Sequence, residues 1–194
     1  MRVLLAALLL AAAPAVAQER IVVAGSALAE IVVALGAGDR LVGRDTTVSF
    51  PESLRDLPDV GYLRALSAEG LLSLGPDMIL ADADAGPPET LALIEATEVP
   101  VVRVSESYSE AGVLARIDAV AAALQLDGLP LRTEVEAAFR DLAEARETAA
   151  PVRAIFGLSA SGGRIMAAGQ GTGAEGIFRL AGVENAITGV DGYR

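Results

Sequence analysis

Apolar residues follow two different patterns in the N-terminal half of the chain, and these patterns alternate. The β-branched run RIVVAG at 20–25 predicts a strand, and RLVG at 40–43 predicts another. Between them, apolar residues recur at helical spacing, with Ser26 as the expected N-cap and Gly36 at the end of the helix. The buried face of this helix is expected to consist of Leu28, Ile31, Val32 and Leu35. A strand, a helix and a strand joined by short connections are typical of a mostly parallel sheet covered by helices.

The same alternation continues towards the middle of the chain. It predicts a helix at 67–75, a strand at 77–81, a helix at 87–97 and a strand at 100–104. Residues 18–108 are therefore expected to form one α/β lobe.

From Ser109 onwards, helical spacing replaces the strand pattern. Residues 109–150 predict two helices interrupted at Asp127 and Gly128. The second helix is long and charged, and we expect it to be a stiff backbone helix between two lobes. After Pro151 the sheet pattern returns, with a strand at 152–159, a second hairpin strand at 164–169 and a helix at 173–182.

Residues 151–194 are expected to form only the start of a second α/β lobe. About two strands and one helix cannot bury a sheet from both sides. The predicted fold class is therefore α/β, with two Rossmann-like lobes joined by a long backbone helix and the second lobe incomplete in this chain. We expect the natural protein to continue past Arg194.

The N-terminus predicts secretion. Arg2 precedes an apolar run, and Ala15-Val16-Ala17 has the small residues of a signal peptidase site, so residues 1–17 are interpreted as a signal peptide cleaved after Ala17. The run is too short to span a bilayer, so it is not expected to be an anchor. With no cysteine in the chain, a lipid anchor is not expected. The expected location is the periplasm, without stable membrane insertion.

Composition narrows the possible functions. All 15 basic residues are arginines, and with 26 acidic residues the formal net charge is −11, which argues against a nucleic-acid surface. The chain has no cysteine and no histidine. Ordinary zinc sites and hydrolases that depend on a catalytic His or Cys are therefore excluded.

One motif is more specific than the α/β pattern. The run LPDVGYLRALSAEGLLSL at 57–74 closely resembles the N-terminal lobe of the haem-binding proteins that serve bacterial haem ABC importers. The similarity continues through GGRIMAAGQGTGAEGIFRLAGVENAITGVDGY at 162–193. The resemblance implies a monomeric, non-enzymatic binding protein of the helical-backbone class, which captures ferric haem and delivers it to an inner-membrane ABC permease with its ATPase.

In that family, the tyrosine of the Gly-Tyr-x-Arg motif is the axial ligand of the haem iron, which corresponds to Tyr62. Ferric iron is a hard ion that favours an anionic oxygen, and both the iron and a nearby cation favour the phenolate. If residues 61–64 are extended, Arg64 lies on the same side as Tyr62 and can stabilise the phenolate or pair with a haem propionate. The alternative for Tyr62 is a half-buried aromatic at a strand end, and for Arg64 a solvated surface charge.

Glu69 has two interpretations. In this class an acidic residue near the start of this helix docks onto basic residues of the permease, and the motif places Glu69 there. The alternative is a first-turn glutamate favoured by the helix dipole.

The sequence also departs from the family. Members often have a histidine of the second lobe before a Gly-Gly pair, whereas this chain reads LSASGGRIMAAG at that place. Ser161 is a poor iron ligand, and Met166 is a soft donor that a ferric site does not prefer. We therefore expect a five-coordinate haem or a sixth ligand from water, and the binding of two haems is in doubt.

Two alternative functions remain open. The first keeps the class and changes the cargo to cobalamin or a ferric siderophore. The second is an enzyme, because Gly169, Gly171 and Ala174 match the G-x-G-x-x-A dinucleotide pattern and Asp191 follows about 20 residues later. A glycine-rich turn that opens the helix at 173–182 is the simpler account of those residues.

Overall fold

A parallel four-stranded sheet occupies the N-terminal half of the computed structural model, which describes residues 20–194. The predicted signal peptide, residues 1–17, lies outside the described residues. Strands β1 (Ile21–Ala24), β2 (Leu41–Arg44), β3 (Met78–Asp82) and β4 (Val101–Val104) are arranged in the order β2-β1-β3-β4, and every neighbouring pair is parallel. The predicted α/β class is confirmed, and all four carboxyl ends meet at one edge.

Helices cover both faces of this sheet. The long helix α4 (Glu110–Leu124) and α1 (Ser26–Ala34) pack on one face, where Leu28, Val32, Val120 and Leu124 are buried against Val23 and Leu80. The short helix α2 (Ala68–Leu72) and α3 (Pro88–Glu95) cover the other face, where Leu71, Leu91 and Ile94 bury Val22 and Ile79. The strands are apolar on both sides because both sides are covered.

The start of α1 differs from the prediction. The N-cap is Gly25, and no side chain caps the helix; Ser26 is its first helical residue. Gly25 has φ 138°, and a Cβ added there would lie 2.3 Å from a carboxylate oxygen of Asp82. A glycine is therefore required at the position that the sequence pattern assigned to the strand.

Helix α5 (Leu129–Glu147) extends away from the sheet. It packs on α4 at one end and on the helix α6 (Gly173–Ala181) at the other, and none of its residues is buried. This is the long charged helix that the sequence predicts between the two lobes. Within residues 20–194, no helix has both the length and the apolar character needed to cross a membrane.

The C-terminal segment contains two small sheets and a helix. Strands β5 (Val152–Ala154) and β8 (Val183–Asn185) are parallel, and β6 (Gly157–Ser161) forms an antiparallel hairpin with β7 (Arg164–Ala167). Helix α6 (Gly173–Ala181) lies between β7 and β8. The prediction of one strand at 152–159 is wrong, because Ile155 and Phe156 separate β5 from β6. The predicted hairpin and helix are confirmed, and β8 was not predicted.

Candidate ligand cleft at the carboxyl edge of the parallel sheet

The loops that follow the four parallel strands gather at one edge of the sheet, which is where open α/β sheets bind ligands. Asp45, fully buried after β2, accepts hydrogen bonds from the backbone N–H groups of Gly25 and Thr47, each at 2.9 Å. These contacts tie the loop after β2 to the end of β1. Asp45 therefore has a structural role at this edge.

The loop at 61–66 is anchored by two buried leucines and exposes two polar side chains. Leu63 and Leu66 are buried, and the backbone of this loop pairs with Gly86: Leu66 N–H donates to Gly86 O at 2.9 Å, and Gly86 N–H donates to Leu63 O at 3.0 Å. Tyr62 and Arg64 point outwards between these anchors, and 47% of Tyr62 is exposed. Gly86, in the loop after β3, thus fixes the position of the 61–66 loop.

Tyr62 and Arg64 lie together, although not for the predicted reason. The segment is a turn rather than an extended strand, because Ala65 N–H donates to Tyr62 O at 2.7 Å. Across this turn, Arg64 Nη1 donates to Tyr62 Oη at 3.0 Å, and Arg64 Nη2 contacts a carboxylate oxygen of Asp84. The expectation of an extended 61–64 is wrong, while the expected proximity of the two side chains is confirmed.

The charge distribution favours a cation at Arg64. The hydrogen bond with Tyr62 and then the charge of Asp84 raise the pKa of Arg64 above its ordinary value. The guanidinium therefore lies between a phenol oxygen and a carboxylate, with Nη1 on the phenol oxygen and Nη2 on the carboxylate. Asp84 was not among the predicted site residues, because its contact with Arg64 is made across 20 positions of sequence.

Glu69 lies apart from this pair, on the first turn of α2. Ser67 is the N-cap, and its Oγ accepts from Gly70 N–H at 2.9 Å. Glu69 is exposed and faces solvent. The structure therefore places Glu69 on the surface, as both interpretations of this residue require.

A buried arginine forms ion pairs with two acidic residues at the carboxyl ends of β3 and β4. Arg116 of α4 is 5% exposed; its Nη2 contacts Asp82 at the end of β3, and its Nη1 donates to Glu106 after β4 at 3.1 Å. Burial raises the pKa of Asp82 above its ordinary value, and the charge of Arg116 opposes that rise. The buried Nε of Arg116 has no hydrogen-bond partner among the described residues. This network was not predicted, since α4 reads as an ordinary amphipathic helix.

Tyr108, after β4, joins this edge to the C-terminal segment. A Cβ added to Gly176 of α6 would lie 2.4 Å from Tyr108 Cβ, and one added to Gly173 would lie 3.4 Å from Tyr108 Cε1. Arg179, one turn later, donates to the backbone carbonyl of Tyr108. The hydrogen bond with Glu106, followed by burial and the charges of Glu106, Tyr193 and Asp84, raises the pKa of Tyr108 to about 12. We call the space at the carboxyl edge of the sheet, between the loops that carry Tyr62, Asp84 and Tyr108, the cleft.

The residues considered as further iron ligands lie on the β6–β7 hairpin. Ser161 and Met166 are exposed, and they line an open concavity of about 530 Å³ together with Arg194. Within residues 20–194, no group of three or more His, Cys, Asp or Glu side chains could hold a metal ion. A separate apolar concavity of about 330 Å³ lies between α1, α4 and α5, away from Tyr62.

Backbone packing explains Gly169, and a φ of 71° explains the glycine at Gly171. A Cβ on Gly169 would lie 2.1 Å from Val190 O, and Gly169 N–H donates to Gly192 O at 2.8 Å. Thr172 is the N-cap of α6 and accepts from Glu175 N–H at 3.2 Å. Asp191 pairs with Gln170 through a backbone bridge. These residues pack the C-terminal segment and start its helix.

Comparison with known proteins gives a consistent picture. The model of the periplasmic binding protein family matches residues 21–193. The solved structure of the periplasmic haem-binding protein BhuT in complex with two haems is 40% identical, with a TM-score of 0.86, over 91% of this chain and 70% of that one. The apo structure of the periplasmic haem-binding protein RhuT from Roseiflexus sp. RS-1 is 38% identical, with a TM-score of 0.83, over 91% of this chain and 69% of that one.

A curated relative binds a different cargo. The vitamin B12-binding protein of Yersinia pestis (strain Pestoides F) is 34% identical over 88 residues, which are 45% of this chain. This match spans 31% of the length of that relative.

Proposed function

The chain belongs to the periplasmic binding protein family, and from that premise we propose that it captures haem and delivers it to an inner-membrane ABC importer. The observation that carries the proposal is the contact of Tyr62 Oη with Arg64 Nη1, 3.0 Å apart, at the carboxyl edge of the parallel sheet. The two similar haem-binding structures support it. The function is capture and delivery rather than catalysis.

Tyr62 is the proposed axial ligand of the haem iron. Ferric iron binds anionic oxygen, and tyrosine serves as a proximal haem ligand in proteins. Arg64 Nη1 donates a hydrogen bond to Tyr62 Oη and places a positive charge beside that oxygen. Tyr62 is 47% exposed, so its side chain is not enclosed by the protein. Arg64 also has the planar fork that suits a haem propionate.

The remaining coordination follows from the composition. With no histidine and no cysteine in the chain, it offers neither an imidazole nor a thiolate as a second ligand. Met166 is a soft thioether donor, which a ferric ion bound to phenolate does not favour. We therefore propose a five-coordinate iron, or one whose sixth ligand is water.

A second cargo is suggested by the relative that binds vitamin B12. The matching 88 residues cover nearly half of this chain, and a shared scaffold can carry either cargo. A cobalamin would have to use the cleft without relying on the Tyr62 phenolate as its principal contact. Haem remains the proposal because the Tyr62–Arg64 pair offers a ligand matched to ferric iron.

The proposed partners are an ABC permease and its ATPase, and the proposed location is the periplasm. Glu69 is the proposed docking residue for the permease, because it is exposed on a capped helix directly after the Tyr62 loop. A carboxylate in that position can pair with basic residues of a partner without disturbing the cleft.

A hemin titration of the purified protein, followed by visible absorbance, tests the proposal. Wild type is expected to give a saturable spectrum with a high-spin tyrosinate charge-transfer band, and Tyr62→Phe is expected to lose that band and most of the affinity. Phe50→Leu is the control, because it changes an exposed aromatic side chain that lines the separate apolar concavity and not the cleft. Equal spectra for wild type and Tyr62→Phe would refute Tyr62 as the ligand.

The same preparation separates the two cargoes. Cyanocobalamin is titrated in parallel and retention after gel filtration is compared. Retention of cobalamin without retention of haem would replace the proposed cargo while leaving the family assignment intact.

A further inference from the structure

We infer that Tyr108 forms the floor of the cleft and positions a flat macrocycle against Tyr62, and that the two glycines of α6 hold its ring in place. This inference rests on the proposed function, because it assigns a further residue to the same ligand site. It gives Tyr108 a positioning role, distinct from iron coordination.

The first step is the position of Tyr108 in the fold. It follows β4, the neighbour of β3, so its loop lies beside the loop that carries Asp84 at the carboxyl edge of the sheet. Asp84 contacts Arg64, which donates to Tyr62. Tyr108 is 40% exposed. Its loop therefore lies at the same edge of the sheet as the loop of the proposed iron ligand, and part of the residue is open to solvent.

The second step is the fit of Tyr108 against α6. Gly173 and Gly176 are three residues apart and share one face of the helix. A side chain at Gly176 would collide with Tyr108, at 2.4 Å from its Cβ and 3.0 Å from its carbonyl oxygen. Arg179 continues this face and holds that carbonyl. We call Gly173 and Gly176 the glycine notch; it sets how closely α6 approaches the Tyr108 loop.

The third step is the chemistry of the ring. Tyr108 is hydrogen-bonded to Glu106, which in turn accepts from the buried Arg116 at 3.1 Å. A carboxylate neighbour favours the protonated phenol at Tyr108, whereas Tyr62 Oη accepts a hydrogen bond from a cation, Arg64. Two tyrosines at one cleft are thereby assigned different tasks. Tyr62 can ligate a ferric ion, and Tyr108 offers a neutral aromatic face.

A neutral, fixed aromatic face suits the apolar surface of a porphyrin. Aromatic rings gain from stacked or edge-to-face contact beyond the area they bury. Because the ring is held by α6 behind it and by Glu106 at its hydroxyl, little side-chain freedom is lost on binding. The ligand class that this floor recognises is therefore a planar conjugated macrocycle.

The test compares hemin titrations of three variants with wild type. Tyr108→Phe keeps the ring and is expected to bind within about twofold of wild type, because the stacking face remains. Tyr108→Leu keeps an apolar side chain in the glycine notch without a flat ring, and is expected to bind roughly fivefold more weakly. Both variants are expected to keep the tyrosinate charge-transfer band of Tyr62. A role in packing alone would leave the leucine variant close to wild type.

The third variant tests the glycine notch. Gly176→Ala is expected to weaken haem binding by about as much as Tyr108→Leu, because the added Cβ displaces the floor. Gly157→Ala is the matched control, since a Cβ there meets only Ile165 at an ordinary 3.7 Å. If Gly176→Ala does not fold, the phenylalanine and leucine variants decide the question alone.

The outcomes are separable. Haem affinity of Tyr108→Leu equal to that of Tyr108→Phe would overturn the inference while Tyr62 remained the ligand. Loss of the tyrosinate band in Tyr108→Phe would also overturn it, by making Tyr108 the ligand. Failure of wild type to bind hemin would instead refute the proposed function itself.

Discussion

Removing Arg116 is expected to destabilise the fold strongly, and in a pH-dependent manner. Arg116→Leu replaces a cation that is 5% exposed with an apolar side chain, and leaves the carboxylates of Asp82 and Glu106 without their counter-charge. The side chain of Asp82 is only 13% exposed, so its charge would be poorly solvated. Breaking a buried ion pair by removing one partner costs about 3–5 kcal/mol of unfolding free energy.

The lower end of that range applies here, because the side chain of Glu106 is 44% exposed and recovers much of its hydration. A loss of about 3 kcal/mol corresponds to a fall of roughly 6–12 °C in the unfolding midpoint for a chain of this size. Thermal unfolding followed by circular dichroism measures this fall. Arg103→Leu is the matched control: its partner Glu95 is at the surface, and such pairs contribute below about 1 kcal/mol.

The loss of unfolding free energy in Arg116→Leu is also expected to depend on pH. Burial raises the pKa of Asp82 in the folded state, and the charge of Arg116 opposes that rise. Without Arg116 the pKa of Asp82 rises further. A raised carboxyl pKa means that the folded state binds the proton more tightly, so stability falls as the pH rises through the window between the unfolded and folded values. The deficit of Arg116→Leu is therefore expected to be largest at neutral pH and to shrink on acidification.

Adding Asp82→Asn to Arg116→Leu is expected to restore part of the lost stability at neutral pH, because the uncompensated charge is removed. A deficit for Arg116→Leu no larger than that of Arg103→Leu, or one that does not change with pH, would refute this account of the network.

Three further predictions concern separate elements. Glu69→Arg is expected to abolish haem uptake through the permease while leaving hemin affinity unchanged. The control is Glu89→Arg, because Glu89 is an exposed glutamate in the first turn of α3. Normal uptake by Glu69→Arg would contradict the docking role. The pKa of Tyr108, about 12, is expected to fall towards 10 in Glu106→Gln, measured by tyrosinate absorbance. Because the folded state holds the Tyr108 proton more tightly than the unfolded state, the stability contributed by the protonated phenol is lost as the pH rises from about 10 to about 12. An unchanged pKa of Tyr108 in Glu106→Gln would contradict the contact with Glu106. Ser109→Ala removes the N-cap of α4, whose Oγ accepts from the backbone at 3.1 Å, and is expected to cost about 1 kcal/mol in denaturant unfolding; a loss near zero would mean that water replaces the cap.

Local patterns predicted the elements that depend on local chemistry. Periodicity located the four parallel strands and the long helices, because strands covered on both faces are apolar throughout and helices alternate at 3.6 residues. It misplaced the N-cap of α1, since the requirement for glycine at Gly25 comes from Asp82, which is distant in sequence. It also joined β5 to β6, because Ile155 and Phe156 are apolar and continue the strand pattern.

The candidate site was predictable only where its members are close in sequence. Tyr62 and Arg64 lie two positions apart, so a motif could pair them, although the turn at Tyr62 replaced the extended strand. Asp84 and Tyr108 lie in the loops after β3 and β4, and Arg116 reaches the same edge of the sheet from α4. Their roles depend on which strands are neighbours in the sheet, and no short pattern contains that information.

Under the proposed function, the contact between Tyr62 and Arg64 would distinguish haem from the cobalamin that a relative of this chain binds. A neutral aromatic floor at Tyr108 would accept any planar macrocycle, so it selects a shape and not a metal. A phenol oxygen held beside a guanidinium would select further, because a tyrosine oxygen is a ligand for a Lewis-acidic centre with an open coordination position. Haem binding should therefore depend on both tyrosines, with the spectrum set by Tyr62 and the affinity by both. A cargo that binds by shape alone would be weakened by Tyr108→Leu and indifferent to Tyr62→Phe, so the pair of variants identifies the cargo class from affinity alone.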